Sequence, residues 1–160
     1  MKNLILASVA ALMLAGCGFR PLYADASFDQ VGEGLIRVDE INGRSGYLLR
    51  RELLKELAIG LPGLNERAEL RVGLEEELER ITLLNDGSVS RSFLRGGAEF
   101  TLTTQSGEAY SGDAQVQIPI AATQSPFGDV AAQTESSERG MSELARKIVD
   151  DLRLQLEAAR

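Results

Sequence analysis

The sequence predicts an α+β domain with element order β-α-β-β-β-α, two helices packed on one face of a mostly antiparallel four-stranded sheet. Two stretches repeat apolar residues at helical spacing, and between them three long stretches alternate apolar with polar residues at a period of two. Glycine, asparagine and proline clusters separate the periodic stretches, as connecting turns require.

Residues 35–41 alternate apolar with charged, placing Ile36 and Val38 on one face of a first strand that Asn42-Gly43 ends. From about residue 45 to 59 the period becomes helical. Leu49, Leu53, Leu54, Leu57, Ala58 and Leu61 form a broad apolar face, and Gly60 and Pro62 stop the helix. In the second strand Leu70, Val72, Leu74 and Leu78 oppose Arg71, Glu75, Glu77 and Glu79, giving one buried and one very acidic face. Glu76 falls on the apolar side, and a phase switch to Ile81 and Leu83 predicts a bulge or strand end near Glu79.

Asn85-Asp86-Gly87 reads as a turn. Residues 89–104 then set Ala98, Phe100 and Leu102 on one face and Arg91, Phe93 and Arg95 on the other, with a bend expected at Gly96-Gly97. The last strand turns Tyr110, Ala114, Val116, Ile118 and Ile120 inward and Ser111, Asp113, Gln115 and Gln117 outward. Pro119 implies an edge position or a strand end there, because proline donates no ladder bond. Ser125-Pro126 caps a final helix whose stripe is Met141, Leu144, Ala145, Ile148, Val149, Leu152 and Leu156, with Gly140 as a weak point. The helices cover one sheet face, and the other stays wet or available to a partner.

The first 34 residues belong to a different regime. Lys2 followed by the apolar run 4–14 reads as a secretory signal over residues 1–16, too short to span a bilayer. Ala15 and Gly16 suit a signal peptidase, and Cys17 follows them directly. A lipidated Cys17 is one reading, and an ordinary thiol near a conventional cleavage site is the other. An unpaired cysteine is anomalous in an oxidising compartment, and acylation would consume it. Residues 17–34 then form a tether ahead of a single domain, residues 35–160.

The chain carries 17 basic against 24 acidic residues, a net charge of −7, and has no histidine and one cysteine. That excludes histidine-based triads, cysteine–histidine pairs and the usual zinc sites, and argues against nucleic acid as a partner. No glycine-rich phosphate loop is present, and no cofactor or metal is expected. Paired-carboxylate catalysis stays open on residue types alone, beside the plainer reading of an acidic surface. The expectation is a binding protein and not an enzyme.

The run Cys17-Gly18-Phe19-Arg20-Pro21-Leu22-Tyr23 resembles the start of the mature bacterial lipopolysaccharide-assembly lipoprotein family, LptE, of the alphaproteobacterial type. The order of elements, the Ala98-Glu99-Phe100 segment and the long final helix agree with that resemblance. It implies an outer-membrane lipoprotein, acylated at Cys17, on the periplasmic side of the membrane. Its expected partner is the barrel LptD, in equal stoichiometry, which it plugs and helps to assemble while contacting lipopolysaccharide. Glycine after Cys17 fits outer-membrane sorting by analogy with the enterobacterial rule.

A lipopolysaccharide contact needs cations for its phosphates. Arg91, Phe93 and Arg95 share a strand face, and Arg95 stands close to where the family carries a basic residue linked to that ligand. The competing reading is that the arginines solubilise the face or pair with Glu75 and Glu77. Family members also carry a basic residue entering the last helix, whereas residues 122–134 here contain no lysine or arginine. The uncovered face, Gln115 and Gln117 included, is the surface expected to meet a barrel wall, the helices having spent their apolar stripes on the core. The alternative is a generic envelope adaptor, pilotin-like or lipid-shuttling, serving another outer-membrane machine. A periplasmic hydrolase is disfavoured by the missing histidine.

Overall fold

The computed structural model describes residues 35–83, 89–121 and 125–159, and gives the backbone alone for residues 80–83 and 89–91. The expected signal sequence, Cys17, the tether and the Asn85-Asp86-Gly87 turn lie outside the described residues. The elements are β1 (Ile36–Val38), α1 (Gly43–Glu56), β2 (Ala68–Leu83), β3 (Val89–Thr104), β4 (Ala109–Ile120) and α2 (Pro126–Ala158), so the predicted order holds. They form one four-stranded sheet in the order β1-β2-β3-β4, with a helical layer on one face.

The sheet is mixed. β1 pairs in parallel with the start of β2, Val38 standing opposite Leu70, while the two long hairpins are antiparallel. The reason is connectivity: α1 lies between β1 and β2 and carries the chain back to the same end, whereas the few residues between the later strands can only let it reverse. β1 is also shorter than residues 35–41, because the chain leaves the sheet after Asp39 donates to the Leu70 carbonyl at 3.0 Å.

The α1 helix ends at Glu56, a turn earlier than the apolar spacing suggests. Gly60 accounts for the stop, holding a φ of +75° that a side chain would resist. Leu49 and Leu53 are fully buried, whereas Leu54 is exposed, so the buried stripe is narrower than predicted. In β3 the ladder runs unbroken through Gly96-Gly97, opposite Glu76 and Glu75 on one side and Val116 and Gln115 on the other. The expected irregularity near Glu79 occurs between Arg80 and Leu83.

Ser125 caps α2 as predicted, its hydroxyl accepting from the Gly128 N–H at 3.1 Å with Pro126 at the first helical position. The stripe Met141, Leu144, Ala145, Ile148, Val149 and Leu152 is wholly buried. Each large member contributes about 1.5–3 kcal/mol by leaving water. Two glycines set the seat of this helix. A Cβ at Gly96 would lie 3.1 Å from Val116 Cγ2 and 3.3 Å from Met141 Cε, and one at Gly140 would lie 3.3 Å from Ile118 Cγ1. The weak helix former at Gly140 is therefore what lets α2 press against β3 and β4.

A third glycine is less forgiving. A Cβ at Gly46, in the first turn of α1, would sit 2.5 Å from the backbone oxygen of Ile41. Gly46→Ala is expected to lower stability in a urea melt by about 1–3 kcal/mol, since backbone cannot give way as a side chain tip can. Gly97→Ala is the control: its Cβ meets nothing within 4 Å, and its midpoint should stay level or rise.

Candidate functional site

Odd-numbered residues of β2, β3 and β4 point away from the helices and build the wet face. The register sets Glu77, Arg95 and Gln117 in one row, Glu75, Gly97 and Gln115 in the next, and Glu79, Phe93 and Pro119 in a third. Gly97 leaves its row without a central side chain, so an open groove of about 960 Å³ runs between Glu75, Glu77, Arg95, Gln115 and Gln117.

The face is an acidic field. Arg71 pairs with Asp39 at 3.2 Å and with Glu69 at 3.1 Å. Arg95 Nε lies 2.8 Å from Glu79 Oε2, a close ion contact in which that buried carboxylate oxygen receives no well-aimed hydrogen bond. Its partner is thus the diagonal neighbour, and neither Glu77 directly opposite nor Glu75. Among the described residues Glu75, Glu77, Glu99 and Asp113 have no ion-pair partner.

Arg95 and the half-buried Phe93 are brought onto one face, with the arginine side chain 54% exposed. Arg91 pairs through its backbone with Thr82, and its side chain lies outside the described residues, as does Cys17. No group of three or more metal-ligating side chains converges among the described residues.

Two further sites carry polar groups between layers. Glu76, out of phase on the helix side of β2, accepts from the hydroxyls of Ser45 and of Ser137, the latter at 2.8 Å. One carboxylate thereby ties β2 to the first turn of α1, where an anion is favoured, and to α2. At the opposite end Glu66 accepts from the Ser106 N–H at 2.9 Å and hydroxyl at 2.6 Å. The hydroxyl bond holds the Glu66 carboxyl below its ordinary value.

The helices spend most of their apolar stripes on the core, as expected, but they keep more exposed apolar surface than the sequence suggests. Among the described residues Tyr47, Leu54, Ile59, Phe127, Val130 and Leu154 are the exposed large apolar ones, and all lie on the helices or their ends. Tyr47 and Leu54, seven apart, share one outer face of α1, and Phe127 and Val130, three apart, share one of α2. No helix among the described residues is long and apolar enough to cross a membrane.

Comparison with known proteins agrees with this architecture. A protein from Caulobacter crescentus CB15 assigned as a lipoprotein is 28% identical, with a TM-score of 0.62 over 79% of this chain and 93% of that one. The rare lipoprotein B of Shewanella oneidensis is 13% identical and shares the fold, with a TM-score of 0.58 over 78% of this chain and 97% of that one. No curated protein sequence matches at a significant level. The family model for lipopolysaccharide-assembly LptE matches residues 35–156, all of the α+β unit but the last turn of α2. The chain belongs to the LptE lipopolysaccharide-assembly family.

Proposed function

We propose that this chain is an outer-membrane lipoprotein, anchored through acylated Cys17, that seats in the barrel LptD, assists its assembly and helps pass lipopolysaccharide to the outer leaflet. The observation that carries the reading is the family match across residues 35–156. The structure supports it with a surface suited to the purpose. The helices bury their main stripes in the core, and the opposite sheet face is polar, like the water-filled interior of large barrels. The role is binding and assembly; no catalytic step is assigned to any residue.

The experiment is affinity purification of the tagged, full-length chain from envelopes, with mass spectrometry of its N-terminal peptide. The expected result is a barrel of the LptD kind in equal amount, and a mature N-terminus at Cys17 carrying acyl chains. Recovery of another outer-membrane machine would move the chain to the adaptor reading, and an unmodified residue 17 would remove the anchor.

Arg91 and Arg95, with Phe93 between them, are the proposed contact for lipopolysaccharide phosphates. A phosphate must displace Glu79 from Arg95. The Arg95–Glu79 pair is half exposed and contributes up to about 1 kcal/mol, so a more highly charged phosphate that engages two guanidinium nitrogens can displace it. Replacing both arginines with glutamate should weaken binding of purified lipopolysaccharide at least about tenfold. Glu79→Gln should strengthen it, by up to about fivefold, because it frees Arg95 at no cost to the sheet. Unchanged affinity in both variants, with folding intact, would leave the arginines as partners of the acidic face only.

A further inference from the structure

The backbone edges of this sheet are treated unequally. β4 is an outer strand, and α2 closes its edge: Lys147 Nζ donates to the Gln115 carbonyl at 2.8 Å and Gln155 Nε2 to the Ser111 carbonyl at 3.2 Å. The short β1 is closed likewise, Arg50 Nε donating to the Val38 carbonyl at 3.2 Å. Among the described residues β2 has no such cover beyond Leu70. β1 reaches only Ala68, Glu69 and Leu70, yet β2 continues in regular antiparallel register with β3 as far as Arg80.

Ala68 donates to the Leu35 carbonyl and Leu70 accepts from Asp39, so even-numbered residues of β2 turn their backbone groups toward the β1 side. Past Leu70 the same parity aims the N–H and C=O of Val72, Leu74, Glu76 and Leu78 away from β3, on the side where β1 has ended. No described residue bonds to them across that edge.

An open strand of this length is a template for another strand, and a protein that leaves it open must control what pairs with it. The side chains beside the edge supply the control. Glu75, Glu77 and Glu79 line its wet side, the first two without an ion-pair partner among the described residues. On the helix side the edge borders a crevice of about 360 Å³ whose apolar lining is Leu78, Leu94 and Val130.

We propose that the free edge of β2 from Val72 to Leu78 takes up an extended segment of a partner protein as an added strand. That segment alternates basic residues, set against the glutamates, with apolar residues directed toward the crevice. A second copy of this chain would bring an equally acidic row against the first, and like charges across a strand pair are destabilising. The tether, residues 17–34, carries Asp25, Asp29 and Glu33 against Arg20 alone, and fits no better. The proposal goes beyond the barrel reading and does not depend on which machine the chain serves.

The test is backbone amide exchange on the full mature chain in detergent micelles, with a capped ten-residue peptide of alternating lysine and valine as probe and a glutamate–valine peptide as control. The expected result is exchange at Val72, Leu74, Glu76 and Leu78 slowed at least tenfold by the lysine peptide alone, an effect that salt weakens. The variant Glu75→Lys with Glu77→Lys should lose the lysine peptide and gain the glutamate one. Both positions are exposed on the wet face, so the fold should persist. Peptide binding that leaves those four amides fast, or charge reversal without effect, would overturn the proposal. So would protection already present in the free chain, which assigns the edge to the tether, or protection that rises with protein concentration, which assigns it to a second copy.

Discussion

Close contact between α2 and the β3–β4 half of the sheet is the constraint from which the remaining arrangement follows. Side chains at Gly96 and Gly140 would stand between the layers, and their absence lets Met141 and Leu144 reach the strands directly. Once α2 is seated, Lys147 and Gln155 come within reach of the carbonyls of β4 and close that edge. The same seating decides which sheet face is dry, so Arg95, Glu75 and Glu77 face water because Leu94, Ala98 and Phe100 cannot. α1 completes the layer over β1 and the start of β2, with Leu49 and Leu53 entering the same core.

Local periodicity and turn chemistry made most of this legible. Alternation located β2, β3 and β4 to within about two residues, and the Ser125-Pro126 pair located the start of α2. Pro119 also reads correctly, and the structure shows why. It shares the parity of Ser111 and Gln115, whose carbonyls point to the outer edge, so its missing N–H lies where β3 needs no donor. What the sequence hid depends on register and connection, which no local pattern encodes. The parallel sense of β1, the exposure of Leu54 and the Arg95–Glu79 diagonal pair all require knowing which residues stand opposite which.

The open edge of β2 is invisible in the sequence for a related reason. The stretch from Leu35 to Ile41 alternates well enough to be a full strand. The chain nevertheless turns away after Asp39, and the partner that β2 would have had stops at Leu70. The out-of-phase Glu76 and the phase switch after Leu78 are the local signals that this part of β2 is unusual. Glu76 serves as a three-way tie between β2, α1 and α2, its charge met by serine hydroxyls from both helices.

In the proposed barrel seating, the polar, groove-bearing face is the one set against the barrel wall. Exposed apolar residues on the helices, Tyr47, Leu54 and Leu154 among them, supply the competing orientation. Photocrosslinking in intact envelopes separates the two, with the reactive group placed in turn at Glu77, Gln115, Gln117, Tyr47, Leu54 and Leu154. The account predicts that a β-barrel protein is captured from Glu77, Gln115 and Gln117. Capture from Tyr47, Leu54 and Leu154 alone would contradict it.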